Sequence, residues 1–314
     1  MSGKVRTLIL IIASLCVLTA AFMLIKSVRE YKVAENEYDS LTQYVTTNGE
    51  ANAAASDTQS LDGTINEQGS KDGTDENIVG NESVKSKSGS GESADSDYSN
   101  KNSDETGKKE LKRNYNRNDF PDIKVDFDEL KKINASCVAW LYVEGAQINY
   151  PVVQGQDNEF YLHHTFEMKK NSSGCVFMDY EVDPLLTSRN TFFYGHNMKN
   201  GTMFGHLKNF INNSAVYDKD PYIYVFRPEG IYRYEIFSYY LDSTDSKMYY
   251  TCDTFDEYRA YLREAERLSV RECSARATAD DNIVTLVTCS GSGANKRRFF
   301  VHGVFVDRYL YLDN

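Results

Sequence analysis

Large apolar residues fall into two blocks along this 314-residue chain, and a polar stretch of about seventy residues keeps them apart. The first block is one run near the N-terminus. The second begins at Phe120 and is rich in Tyr, Phe, Val, Leu and Ile. Only this second block, roughly 190 residues, can bury a core of useful size. The chain therefore predicts one folded domain, although its length would permit two.

The N-terminal run, residues 7–25, reads TLILIIASLCVLTAAFMLI and carries no charge. As a helix it would span about 28 Å, against a bilayer hydrocarbon core of about 30 Å. Lys4 and Arg6 precede it, and Lys26, Arg29 and Lys32 follow, so the basic residues alone do not orient it. A cleaved signal peptide usually has a shorter apolar run closed by a small-x-small site, and none closes this one. Leu15 stands before Cys16, where a lipoprotein signal would have a small residue. The pattern predicts a short cytoplasmic segment at 1–6 and an uncleaved signal anchor at 7–26. A charged, disordered linker follows at 27–118, then the folded domain at 119–314. From about residue 48 the linker is dominated by Ser, Gly, Asn, Asp, Glu and Lys, and it cannot offset its chain entropy by burial. A coil of that length spans on the order of 45 Å end to end. Residues 1–118 are thus expected to contribute nothing to the fold of the domain.

Within the folded block, strands are predicted at 140–143, 147–153, 175–180, 190–194, 222–226, 232–240, 283–289 and 298–306. A helix should start at Asp126, with Glu129 three residues on, and a short one is predicted over 157–166. A longer helix should begin at the capping box Thr254–Glu257, with Phe255, Tyr258, Leu262, Ala265 and Leu268 as its apolar stripe. Eight short strands with few helices predict a mainly β fold, a closed or nearly closed eight-stranded barrel with flanking helices.

The formal net charge of -11 argues against non-specific nucleic-acid binding, which needs a basic face. The six cysteines form no CxxC pair and are too sparse for a disulfide scaffold, although the loop between Cys252 and Cys273 would permit a bridge. Neither a zinc motif nor a P-loop is present.

Three segments could carry chemistry. The apolar strand over 283–289 ends at Cys289 and runs into Ser290 and a Gly-rich loop. A thiol at a strand end can be half exposed, but position alone does not separate a nucleophile from inert core. Reactivity also needs a base or a positive neighbour. Arg297 and Arg298 open the next strand, and a hairpin would bring an Arg beside Cys289, although a basic pair at a strand start can equally be edge charge. A third strand ends at Gly195, and His196 follows it, well placed for proton transfer. His302 lies within an apolar strand and reads as packed. His163, His164 and His206 fall in predicted helices.

TLVTC at 285–289, followed by RFFVHG from Arg298, resembles the active-site strand pair of the sortases, and FFYGHNM over 192–198 resembles that family's histidine motif. The segments VAWLYVEGAQINYPVVQGQDNEFYLHHTF and NGTMFGHL, together with the long helix before the Cys strand, are most similar to class B sortases. The resemblance covers residues 120 to 314. It implies an extracellular cysteine transpeptidase, held by a single membrane pass and facing the cell wall. Cys289 would be the nucleophile, His196 the proton carrier and Arg298 the oxyanion partner, with no cofactor. Thr288, Leu286, Asn197 and Ser290 would contact the substrate. The implied partners are secreted proteins with a C-terminal sorting motif, cleaved after Thr, and an amine acceptor from a peptidoglycan precursor or a pilin. The chain departs from the class B pattern in one place: Cys289 is followed by Ser290-Gly291-Ser292-Gly293, where many members carry an acidic residue. A cell-wall cysteine hydrolase using the same residues and a non-catalytic surface-binding domain are the competing functions.

Overall fold

The computed structural model describes residues 3–46, 112–249, 252–290 and 296–311, with Cys289 and Ser290 described by their backbone. The polar stretch from 47 to 111 and the Gly-rich loop over 291–295 lie outside the described residues.

Two short strands, β1 (Val45–Thr46) and β2 (Lys124–Val125), pair with each other. The remaining eight are β3 (Cys137–Val143), β4 (Ile148–Gln154), β5 (Val176–Met178), β6 (Asn190–Tyr194), β7 (Tyr222–Arg227), β8 (Gly230–Asp242), β9 (Ile283–Ser290) and β10 (Arg297–Leu310). They close a barrel in the order β10-β8-β7-β3-β4-β5-β6-β9. Two barrel contacts are parallel, β4 with β5 and β6 with β9. The β6–β9 contact decides where the site forms.

The helices are α1 (Gly3–Leu41), α2 (Phe127–Ile133), α3 (Asn209–Asn212), α4 (Ser214–Lys219) and α5 (Phe255–Leu268). Helix α2 starts where the sequence places it, with Asp126 Oδ1 accepting from Glu129 N. The capping box of α5 is complete: the Thr254 hydroxyl accepts from Glu257 N at 3.2 Å, and Glu257 Oε2 accepts from Thr254 N at 3.0 Å. Phe255 caps the end of the α5 stripe and stays 42% exposed.

The apolar run in β9 follows from burial on both faces. Val284 and Leu286 belong to the large core cluster, while Ile283 and Val287 belong to a second one. That second cluster lies under α5, whose Tyr258, Tyr261, Leu262 and Ala265 are buried together with Phe192, Phe237, Tyr240 and Phe300.

The helix expected over 157–166 does not form. Only one 3-10 turn exists there, Phe160–Leu162. Asp157 Oδ1 accepts from the backbone N–H groups of Glu159 and Phe160, which fixes a tight turn. The carbonyls of Tyr161 and His163 then accept from Cys175 and Asn171, so the segment bonds across to residues 171–175. His163 and His164 consequently sit in a loop, and His206 sits in the turn before α3. The Cys252–Cys273 bridge does not form either; both are free thiols.

The N-terminal part differs most from the expected linker. Helix α1 runs without a break through residues 3–41. Its first half exposes the apolar run, with Leu10, Leu15, Val17, Leu18, Phe22, Met23 and Leu24 all exposed. It is a candidate membrane span by length and composition. Its second half docks on the domain. Ala34, Tyr38 and Leu41 recur at spacings of four and three, and all three are buried in the large core cluster. Residues 27–46 are therefore ordered structure, because a helical stripe of small and apolar side chains inside the charged segment finds a surface to cover. At the other end of the expected linker, Asn114 Nδ2 donates to Asp307 Oδ2 at 3.0 Å, and Asn114 N donates to Arg308 O.

Candidate active site

The barrel order places β6, β9 and β10 side by side. In the parallel β6–β9 contact Tyr194 is the partner of Val287, and Gly195 N extends the pairing by donating to Val287 O at 3.3 Å. Parallel strands end at the same rim. His196 lies two residues past Tyr194, and Cys289 two residues past Val287, so both come to that rim from adjacent strands. From the other side, Arg298 is the direct cross-strand partner of Cys289, and Arg297 of Ser290. Directly opposed residues of an antiparallel pair share a face of the sheet. Arg298 is half-buried and Arg297 is exposed. Cys289, His196 and Arg298, distant in sequence, thus meet at one end of three neighbouring strands.

His196 is held by the loops around it. Phe204 N donates to His196 O at 2.9 Å, and a bridge between Asn197 and Met203 closes the following loop. The ring of Phe204 lies so close to Gly195 that a Cβ there would come within 2.7 Å of it, so the turn into His196 needs a glycine. On the imidazole itself, Nε2 is 2.8 Å from Leu162 O. A carbonyl can only accept, so Nε2 carries the hydrogen. Gly174, at φ +58, presses on the other side: a Cβ at this position would be 3.1 Å from His196 Cδ2 and 2.7 Å from Tyr161 O. Burial lowers the His196 pKa below its ordinary value; the Leu162 carbonyl opposes this and neighbouring His163 adds to it.

The floor beneath the site is a buried polar chain on the same face of the barrel. His302 is fully buried, with Nδ1 2.9 Å from Thr285 Oγ1 and Nε2 2.9 Å from the Tyr240 hydroxyl. Thr285 donates to Asn190 Oδ1, and Asn190 donates to the Tyr261 hydroxyl of α5. These bonds link β8, β9, β10, β6 and α5. Burial without a charged partner pushes the His302 pKa down to about 3, so the ring is neutral.

The expected substrate contacts separate. Leu286 has no exposed surface and pairs between Phe193 and Val301, so it belongs to the core and does not line the site. Thr288 is buried, and its Oγ1 has no hydrogen-bond partner among the described residues, an acceptor and donor one residue before Cys289. Asn197 is half-buried in the loop after His196. The side chain of Ser290 and the residues 291–293 lie outside the described residues. One carboxylate near the site has no counterpart among the residues expected from the sequence. Asp242 of β8 is the cross-strand partner of Arg298 on the side away from Cys289. Its oxygens accept from Ser246 Oγ at 2.5 Å and Ser243 N at 2.7 Å. No local signal marks it, because Asp242 and Arg298 are neighbours only through the register of two long strands.

Residues 141–306 match the family model of the sortase domain, more than half of the chain. The chain belongs to the sortase family. Among curated sortases it is 29% identical over 191 residues to Sortase B of Listeria monocytogenes, covering 60% of this chain and 76% of that protein. It is 33% identical over 168 residues to Sortase B of Staphylococcus aureus, covering 53% and 68%. In three dimensions it is similar to sortase B of Clostridium perfringens, with a TM-score of 0.54 at 35% identity over 58% of this chain and 100% of that one. The Staphylococcus aureus sortase B–substrate complex gives a TM-score of 0.54 at 32% identity over 58% and 84%. These relatives place the chain with the class B sortases.

Proposed function

We propose that this sortase is a membrane-anchored cysteine transpeptidase. It would cleave a C-terminal sorting motif of secreted proteins after Thr and join the Thr carbonyl to an amine of the cell wall. The observation that supports this reading best is the register bringing Cys289, His196 and Arg298 to one rim. The Cys289 thiolate attacks the Thr carbonyl carbon, and the developing oxyanion is met by the Arg298 guanidinium. His196, protonated, gives its proton to the departing amide nitrogen as the C–N bond breaks, leaving a thioacyl intermediate. An incoming amine attacks that carbonyl, His196 takes the amine's proton, and the thiolate leaves. The S–C bond that formed is the one that breaks, so no oxidant or cofactor is consumed. Thr288, Asn197 and Ser290 are proposed to contact the peptide, and Nδ1 is the His196 nitrogen proposed to move the proton. The exposed half of α1 would hold the enzyme in the membrane with the barrel on the extracellular side.

The test is product analysis with a sorting-motif peptide in the presence and absence of wall-derived amines, such as a peptidoglycan stem-peptide or pilin-derived amine. Amide formed at the expense of free acid supports transpeptidation. A rate indifferent to every amine, with free acid only, would make the protein a hydrolase.

A further inference from the structure

The docked half of α1 reaches the loops that frame His196. Tyr38 Oη donates to Gly174 O at 2.7 Å. Gly174 is the residue pressed against the His196 ring, and its segment bonds to the Tyr161–Leu162 turn whose carbonyl receives His196 Nε2. The Tyr38 ring also meets Tyr150 edge-on at 5.5 Å, and the Tyr150 hydroxyl accepts from Met203 N in the loop that follows His196. Tyr38 therefore touches both sides of the histidine's frame. Neighbouring turns of α1 add further bonds to the same segment. Glu37, buried, accepts from Thr165 Oγ1 and Glu167 N, each at 3.0 Å. Glu30 accepts from Asn171 Nδ2 through its carbonyl and from Ser172 Oγ through its carboxylate.

A spacer between anchor and enzyme would need none of these contacts. The segment they brace has almost no regular structure of its own: one 3-10 turn and a single bridge between His164 and Lys170. Such a loop, left alone, belongs to the least stable part of a fold. Holding a proton donor within reach of the reacting atoms is worth large factors in rate, and a displacement of about 1 Å can cost on the order of a hundredfold.

We propose that residues 30–41 of α1 are a positioning element of the active site, bracing residues 162–174 so that the His196 ring is held at the rim, with Tyr38 as the central positioning residue. The inference rests on the assignment of His196 as proton carrier. The groups that act on the His196 ring are the Leu162 carbonyl and His163, both from the braced loop; Arg298 lies on β10, the partner of β9. Loosening the brace exposes the ring, and burial is the larger influence on it, so its pKa rises toward the ordinary value. More imidazolium is then present while the rate falls, an opposition that a simple loss of stability does not produce.

The experiment uses the full chain in detergent micelles or nanodiscs. Tyr38→Phe removes one hydroxyl, Glu30→Gln weakens a contact one turn away from the core, and Val28→Ala, on an exposed side chain, is the control. Thermal melts identify which variants are folded. Peptide turnover gives kcat and KM, and NMR of histidine-labelled enzyme, assigned with His196→Gln, gives the His196 titration. Tyr38→Phe is expected to lower kcat by about tenfold or more with KM nearly unchanged. Its His196 titration and the acid limb of its pH–rate profile should both move to higher pH, with Glu30→Gln intermediate and Val28→Ala unchanged. If Tyr38→Phe is unfolded, Glu30→Gln carries the same test. Folded variants with wild-type kcat and an unmoved His196 titration overturn the proposal. Should no amide or acid form even with the wild-type enzyme, the functional reading fails while the titration still decides whether α1 braces His196.

Discussion

At the scale of single residues, the ladder distinguishes two arginines that the sequence presents as a pair. Arg298 shares its sheet face with Cys289, whereas Arg297 is opposite Ser290 and exposed. Arg298→Ala should therefore slow peptide cleavage by about 10²–10³, the cost of one oxyanion donor, while Arg297→Ala stays near wild type. Steady-state kinetics of the two variants checks this, and equal losses would remove Arg298 from its role. The histidines separate in the same way. His196 is half-buried at the rim, and the proton transfer proposed for it requires both protonation states. His302 is sealed in the floor and neutral. Its folded pKa lies far below its unfolded value of about 6.5, so the unfolded chain takes up a proton that the folded chain refuses. The stability this group contributes is present in full above about pH 6.5 and is lost as the pH falls toward about 3. Urea midpoints should thus fall more between pH 7 and pH 4.5 for the wild type than for His302→Asn. Parallel declines would mean that the ring is not kept neutral by burial.

At the scale of elements, the eight barrel strands and the two capped helices were legible because their signals are local, whereas the short β1–β2 pairing was not. The apolar and aromatic runs of β7 and β9 and the Asp126 and Thr254 caps all lie within one element and need no partner to be read. The failures lie where the backbone's hydrogen bonds go elsewhere. Residues 157–166 carry a helix-like pattern, but their carbonyls are claimed by residues 171–175, and a loop results. Leu286 fits a family motif, yet its neighbours in the barrel are Phe193 and Val301, and it is core. Asp242 pairs with Arg298 only through the register of β8 on β10. The three residues proposed to react lie at or within two residues of strand ends, and it was the resemblance of their motifs, not their position alone, that singled them out. The frame of His196, built by Leu162, Gly174 and Tyr38, was not legible, because those contacts join distant segments. One consequence is measurable. Gly174 occupies a left-handed conformation against two carbonyls and the His196 ring, so Gly174→Ala should reduce both thermal stability and turnover, whereas Gly201→Ala should leave the contacts of Leu162 with His196 in place. Hydrogen exchange across residues 162–174 would show loss of protection in the first variant alone.

At the scale of the whole molecule, the chain divides between a helix half exposed and half docked, a polar stretch, and a closed barrel with the proposed site at the rim shared by β6, β9 and β10. The docked half belongs to the folded unit. Removing residues 1–26 should leave a soluble domain with its core intact, but removing 1–118 strips Ala34, Tyr38, Leu41 and the β1–β2 pairing from it. Loss of Leu41 alone forfeits about 1.5–3 kcal/mol of burial. The shorter domain, starting at residue 119, should accordingly melt more than about 5 °C lower than the one starting at residue 27, by calorimetry. Equal melting temperatures would show that α1 contributes nothing to the fold. Acyl transfer through Cys289 is open to direct observation by intact-mass spectrometry of the full-length enzyme incubated with a sorting-motif peptide. The expected spectrum carries an adduct equal to the peptide's acyl portion, confined to Cys289, absent in Cys289→Ala, and discharged as amide when a wall-derived amine is added. An adduct on another cysteine, or turnover retained by Cys289→Ala, would rule out Cys289 as the nucleophile.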